Sequence, residues 1–272
     1  MADGSAERVL DKALSRDAAL LTATVREAGA LALSLFRTEL KNWTKGASSP
    51  VSEADIAVND LLESRLRSAS PDYGWLSEES ADDRSRLGKH LVWIVDPIDG
   101  TRGYLAGRED WCVSVALVED GSPVLAAVFA PASDEFFFAM RGQGASRNDV
   151  PIHATSGTDM DFSRIAGPKP VVERLNRSGR EITPHPRIGS LALRLCWVGQ
   201  GRLDAAFAGG QSRDWDLAAA NLIVQEANGR MTTLSGDTIL YNRREVTHGV
   251  LVAAGRDRHA GIVSHFRNSP LP

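Results

Sequence analysis

The stretch WIVDPIDGTRGYL, Trp93 to Leu105, constrains this chain more than any other. Trp93-Ile94-Val95 reads as a core strand, yet it delivers the chain to Asp96, Pro97, a second carboxylate at Asp99, and then Gly100-Thr101. In an extended chain, positions i and i+3 point to opposite faces. The two acids therefore converge only if the chain turns between them. Pro97 favours such a turn by fixing φ, and Gly100 permits a tight exit. Converged carboxylates repel, and each rises in pKa unless a cation neutralises them.

Other acids stand where elements change: Asp55 three residues after the N-cap candidate Ser52, Glu78 and Glu79 in LSEES, and Asp216 in DWDLAAAN. Singly, each has an ordinary reading. Asp99-Gly100 is a common turn, SEES a cap with solvated glutamates, Asp216 a cap beside Trp215, and Asp55 a first-turn helix acid. Their conjunction with Thr101 favours metal-assisted chemistry. A hydroxyl beside a carboxylate-bound cation orients an attacking water, and amides after Gly100 can face an anion. Oxygen donors suit Mg²⁺, Mn²⁺ or Ca²⁺ rather than zinc. The six histidines, His90, His153, His185, His248, His259 and His265, show no paired ligand spacing.

The remaining pattern is α/β or α+β. Asp17–Arg37 carries Leu20, Leu21, Thr24, Val25, Ala28 and Leu31 at helical spacing. Gly46–Pro50 reads as a loop, followed by a helix with Ile56, Leu61, Leu62 and Leu66 on its apolar face. Residues 111–140 read as three strands joined by two hairpins, broken at EDGSP and PASDE. The Gly-, Ser- and Asn-rich segment after Arg141 reads as a joint. It separates an N-terminal α+β part, 1–150, carrying most candidate ligands, from an α/β part, 151–272, carrying Asp216. There the expected order is a strand near Ser163–Gly167, a helix from Ser190, a strand at RLDAAFA and a helix at DWDLAAANLIVQEANG. GRMTTL and GVLVAAG follow as strands, and RDRHAGIVSHFR closes as a helix. Gly229 sits where a helix-ending glycine is expected.

A net charge of −4 over 272 residues, with no basic excess, argues against a nucleic-acid polymer as partner. In this reading no apolar run approaches membrane-spanning length and the charged N-terminus lacks a signal core, so a cytoplasmic location is expected. Cys112 and Cys196, both in apolar surroundings, read as buried reduced thiols.

DPIDGT after an apolar strand, LSEES upstream and WDLAAA downstream resemble the signature set of the inositol monophosphatase superfamily. The likeness runs from about Asp17 to the last strand. It implies a layered αβαβα sandwich, usually a homodimer, and a metal-dependent, lithium-sensitive phosphomonoesterase using two or three Mg²⁺, with Mn²⁺ as a substitute. By that resemblance Glu78, Asp96, the carbonyl of Ile98, Asp99 and Asp216 match metal-binding positions. Asp55, Glu78 and Thr101 would position and activate the water, and the amides of Gly100 and Thr101 would hold the phosphate. Glu79 has no firm role.

The substrate is read from departures. Inositol monophosphatases carry an acid seven residues before the aspartate of the WD motif. Here that position is Gly209. AGGQ before WD, the ADDRSRL spacer after SEES, and YNR near the end look more like the bacterial CysQ-type 3′(2′),5′-bisphosphate nucleotidases. Those convert adenosine 3′,5′-bisphosphate to AMP in sulfate assimilation. Gly210 would then leave room for a nucleotide, Gln211 and Arg213 would contact the base or the second phosphate, and Asp216 would also touch substrate. Gly103 and Tyr104 replace the acid and aromatic many such enzymes carry after GTR. The alternative is an inositol or other sugar or polyol phosphate. Rivals from other classes are a glycosidase, which needs only two carboxylates, a non-catalytic phosphate-binding regulator, and a metal-stabilised structural protein.

Overall fold

Alternation along the central strands dictates the layers. Val92 and Ile94 join one apolar core, while Trp93 and Val95 join another. The next strand repeats this, with Ala116 and Val118 on the first side and Val113, Val115 and Leu117 on the second. A strand apolar on both faces has to be covered on both. The structure, a computed structural model describing residues 3–45, 49–160, 163–176 and 181–268, meets that demand with helices.

Seven helices are described: α1 (Asp3–Leu35), α2 (Glu53–Ala69), α3 (Thr101–Leu105), α4 (Lys169–Asn176), α5 (Leu191–Gly199), α6 (Asp214–Glu226) and α7 (Arg256–Asn268). The strands Gly74–Ser77, Leu91–Asp99, Cys112–Glu119, Ser122–Ala130, Glu135–Met140, Ala145–Arg147 and Val150–Pro151 form a seven-stranded sheet in that spatial order. The first pair is parallel and the rest antiparallel. A five-stranded sheet follows the order Thr183–Pro184, Arg164–Ala166, Ala205–Ala208, Leu251–Gly255, Gly229–Thr233. Helices α1 and α2 cover the outer face of the larger sheet, α5 and α6 fill the space between sheets, and α4 and α7 cover the outer face of the smaller one. This is the αβαβα sandwich that the resemblance implied.

Several local expectations change. Helix α1 starts at Asp3 rather than near Asp17, because Asp3–Arg16 holds helix formers such as Ala, Glu, Leu and Lys and no proline. Within α1, Ala13–Leu35 is long and apolar enough by composition to cross a membrane, with mean hydropathy 1.3, against the expectation that no run is. Its wholly buried Leu21, Val25, Ala28 and Ala32 belong to the core shared with α2 and the larger sheet, which is where that apolar surface is used. The buried stripe of α2 runs through Asp55, Val58, Leu62 and Leu66, so Val58 takes the place given to Ile56. Gly46–Ser48 lie outside the described residues, whereas Ser49 and Pro50 belong to a strand paired with Asn42–Lys45. The segment read as a joint supplies the last two strands of the larger sheet. Asn228, not Gly229, takes the left-handed conformation after α6, at φ 62°. Gly229 opens the next strand, where an added Cβ would lie 2.7 Å from Val224 Cγ1. Cys112 and Cys196 are free and buried, as expected.

Candidate active site

The acids of WIVDPIDG converge by a bulge, not a turn. Asp96 pairs with Ser114 and Asp99 with Cys112, so three steps along one strand oppose two along its partner. The extra residue resets the alternation. Both carboxylates then face the α5/α6 side, where Cys112 packs and where Ser114 Oγ donates to the carbonyl of Trp215 at 3.5 Å. Pro97 is tolerated there because an unpaired bulge position needs no amide proton.

Four other segments bring donors to this point. Asp55 rides on the buried stripe of α2 with only 1% exposure. Its Oδ2 accepts from the Ser52 amide at 2.8 Å and the Ser52 hydroxyl at 2.6 Å, fixing both the helix start and the carboxylate. The Thr101 hydroxyl, opening α3, lies 3.1 Å from Asp55 Oδ1 and 3.0 Å from the carbonyl oxygen of Ile98. Glu78 follows the strand Gly74–Ser77, its amide donating to Val95 at 3.2 Å. Asp216 lies in the first turn of α6, its Oδ2 accepting from the Arg213 amide at 2.7 Å.

Asp96, Asp99 and Asp216 each offer an oxygen within 4.8 Å of the others. Glu78, Asp96, Ile98, Asp99, Gly100, Thr101 and Asp216 all line one cavity of about 410 Å³. Burial, then the charges of Glu78, Asp99, Asp216 and Asp55, push Asp96 well above the usual carboxylate range. Asp216 is pushed up to about 7, by burial first and then by Asp99. Burial raises Asp99 too, though less freely, because the Ser190 hydroxyl donates to it at 2.7 Å and the Ala192 amide at 2.6 Å. Asp55 is raised mainly by burial. Clustered, desolvated oxygen donors of this kind fit hard divalent cations.

Residues that the sequence did not single out complete the cavity. Asp110 accepts from both nitrogens of the Arg108 fork and from the Gly189 amide, while its carbonyl accepts from the Ser190 amide at 3.0 Å. Gly100 stands at φ 101°, where an added Cβ would meet the Asp110 carbonyl at 3.1 Å. Arg102, Arg108 and Arg187 also line this space. The sequence placed a helix start at Ser190, but its bond to Asp99 spans 91 residues and has no local signal. Arg187 also lines a second cavity of about 790 Å³, with Lys169, His185 and Arg194. Gly210 and Gln211 are exposed and line neither space. Glu79 donates its amide to Ser77 Oγ at 3.2 Å and is absent from both linings.

Comparison with known proteins places this architecture. The profile of the inositol monophosphatase family matches residues 13–271. An inositol-1-monophosphatase of Mesorhizobium japonicum is 33% identical, over 85% of this chain and 91% of its own. The Nus factor SuhB of Xylella fastidiosa is 36% identical over 68% of this chain and 69% of its own. The crystal structure of the extragenic suppressor protein suhB from Bartonella henselae superposes with a TM-score of 0.81 at 26% identity, covering 92% of this chain and 98% of that one. The chain belongs to the inositol monophosphatase family, a family of phosphomonoesterases.

Proposed function

We propose that this phosphatase is a Mg²⁺-dependent 3′(2′),5′-bisphosphate nucleotidase that hydrolyses adenosine 3′,5′-bisphosphate to AMP. Glu78, Asp96, the Ile98 carbonyl, Asp99 and Asp216 would hold two or three ions, with Mn²⁺ able to substitute. When bound there, such ions acidify water, neutralise phosphate oxygens and stabilise the leaving alkoxide.

The chain's own groups then have defined tasks. Thr101 has one hydroxyl proton and two oxygens within reach of it, on Asp55 and Ile98. With that proton engaged, Thr101 offers the cavity a lone pair that accepts from water and aims the water's oxygen at phosphorus. Asp55 is held by Ser52 and made more basic by burial, so it can draw the proton back through Thr101. Gly100 and Thr101 bring main-chain amides close to the phosphate, since no side chain intervenes at Gly100.

The observation that carries the choice of substrate is the second cavity. Its Arg194 is largely buried, and its Nε has no partner among the described residues. Burial lowers its pKa. A guanidinium left so is costly unless a ligand brings an anion. A second phosphate does so, while about 790 Å³ has room for a nucleoside. Gly209 stands beside this space, its ideal Cβ position 3.9 Å from Pro168, and places no acid there. Steady-state kcat/KM on adenosine 3′,5′-bisphosphate and on inositol 1-phosphate, in Mg²⁺ with and without Li⁺, tests the reading. A clear preference for the inositol ester overturns it.

That second reading has its own support in the inositol-1-monophosphatase of Mesorhizobium japonicum. We also propose a homodimer, following the resemblance; light scattering on the purified protein checks it.

A further inference from the structure

Two stretches set apart by the sequence, ADDRSRL after the Glu78 segment and YNR near the end, meet in the structure. Arg86 is 1% exposed. Its Nε and Nη2 donate to the two oxygens of Asp82 at 3.0 and 2.8 Å. Its Nη1 donates to Asn242 Oδ1 at 2.7 Å and to the Arg243 carbonyl at 3.1 Å, and Asn242 Nδ2 returns a bond to the Arg86 carbonyl at 3.3 Å.

The contact reaches further on both sides. Towards the larger sheet, Arg86 lies against the strand Gly74–Ser77, which Glu78 follows. A Cβ added at Gly74 would stand 2.9 Å from Val92 Cγ2 and 3.1 Å from Arg86 Cβ, so Arg86 packs closely on this strand. Towards α6, the Asn242 amide donates to Asp214 Oδ2 at 2.8 Å, and His248 Nε2 lies 2.6 Å from Asp214 Oδ1. Asp214 is two residues before Asp216 and is itself 1% exposed. A chain of part-buried hydrogen bonds thus runs from Arg86, packed against the strand that precedes Glu78, to the first turn of the Asp216 helix. Burying a guanidinium is offset only when its donors are satisfied, as here. Such a network is more specific in geometry than in stability.

We propose that Arg86 and Asn242 are positioning residues, a clasp that fixes the separation of Glu78 and Asp216 on either side of Asp96 and so sets how tightly divalent cations bind. The inference rests on the metal assignment above. Groups that orient ligands from behind typically change metal affinity by about 10–100-fold when removed. The clasp acts one bond further away, so the lower end of that range is expected.

The test is Mn²⁺ binding to the metal-free full chain, followed by electron paramagnetic resonance. Asn242 stands at φ 55°, so Asn242→Gly removes the side chain without straining the backbone. Arg86→Lys keeps the charge but loses the fork. Ile262→Val, in the core between the smaller sheet and α7, serves as a control for mild destabilisation. Both clasp variants should bind Mn²⁺ roughly tenfold more weakly, while Ile262→Val binds as wild type. Wild-type affinity in Asn242→Gly, or an equal loss in Ile262→Val, overturns the clasp. Absence of Mn²⁺ binding by the wild-type chain overturns instead the metal assignment on which it rests.

Discussion

The two cavities that share Arg187 are electrostatic opposites. The smaller gathers Glu78, Asp96, Asp99 and Asp216, and their mutual repulsion and burial lift the pKa of Asp96 and Asp216. The larger sets Lys169, His185, Arg187 and Arg194 around a mostly apolar wall that also carries Glu173, paired with Lys169 at 3.6 Å, and burial first, then Arg187, depresses Arg194. The first holds like charges where they are disfavoured and the second holds one buried guanidinium, and a ligand of opposite sign would relieve each. Cations would relieve the first. An anion would relieve the second. A bisphosphate, one phosphate beside the cations and one beside Arg194, would relieve both together.

The acid side admits the harshest test. Asp99→Asn keeps the shape but removes a negative charge, and should lower kcat by about a thousandfold, since several kcal/mol of charge stabilisation go with the cation. Activity near wild type would remove Asp99 from the ligand set. Thr101→Ala should cost less, about a hundredfold in kcat, as expected for a lost proton-handling group. Mn²⁺ affinity should stay as in wild type, and a parallel loss of Mn²⁺ would assign Thr101 to the cation instead.

A stability measurement sharpens the same contrast. The raised aspartates hold protons in the folded, metal-free protein that the unfolded chain would release. Their contribution to stability is full below the ordinary aspartate range and is lost as pH rises through about 7, the value for Asp216. In chelator, Tm should therefore fall between about pH 5 and about pH 8, and Mg²⁺ should abolish most of that fall. A flat profile in chelator would mean that the carboxylates do not strain the fold.

The two sides also differ in how far the sequence disclosed them. The acid side was legible because its acids stand where elements change: Asp96 ends an apolar run and Asp55 follows the cap candidate Ser52 by three residues, whereas its place on a buried stripe with Val58, Leu62 and Leu66 was not. The order of the layers came from the resemblance, and the strands apolar on both faces account for it in the structure. The bulge was not legible, because a register shift depends on the partner strand, and Pro97 alone is compatible with a turn or a bulge. The basic side escaped notice for a different reason. Lys169, His185, Arg187 and Arg194 come from a helix, a loop and another helix, with no shared spacing, and a surface arginine looks the same in sequence as a buried one. Helix α4 was missed likewise, since its short run KPVVERLN shows only two turns of periodicity.

On the basic side, Arg194→Met preserves length and apolar contact while removing the charge. It should raise KM for adenosine 3′,5′-bisphosphate roughly tenfold, the worth of one charge-assisted hydrogen bond, and leave kcat close to wild type. KM for a substrate with a single phosphate should not move. An equal rise for both substrates would mean that Arg194 supports the loop through its packing and holds no second anion.

The smallest effect is expected at Gln211, which the sequence placed against the substrate. Gln211 is exposed ahead of the short strand Ser212–Arg213, and it lines neither cavity. The neighbour that does hold the site is the Arg213 amide, bonded to Asp216 Oδ2, and an amide survives any change of side chain at position 211. Gln211→Ala should therefore change kcat/KM by less than about twofold, since an exposed side chain without a fixed partner contributes little. A larger loss, confined to KM and seen only with the bisphosphate, would move the recognition of the second phosphate from Arg194 to the loop before α6.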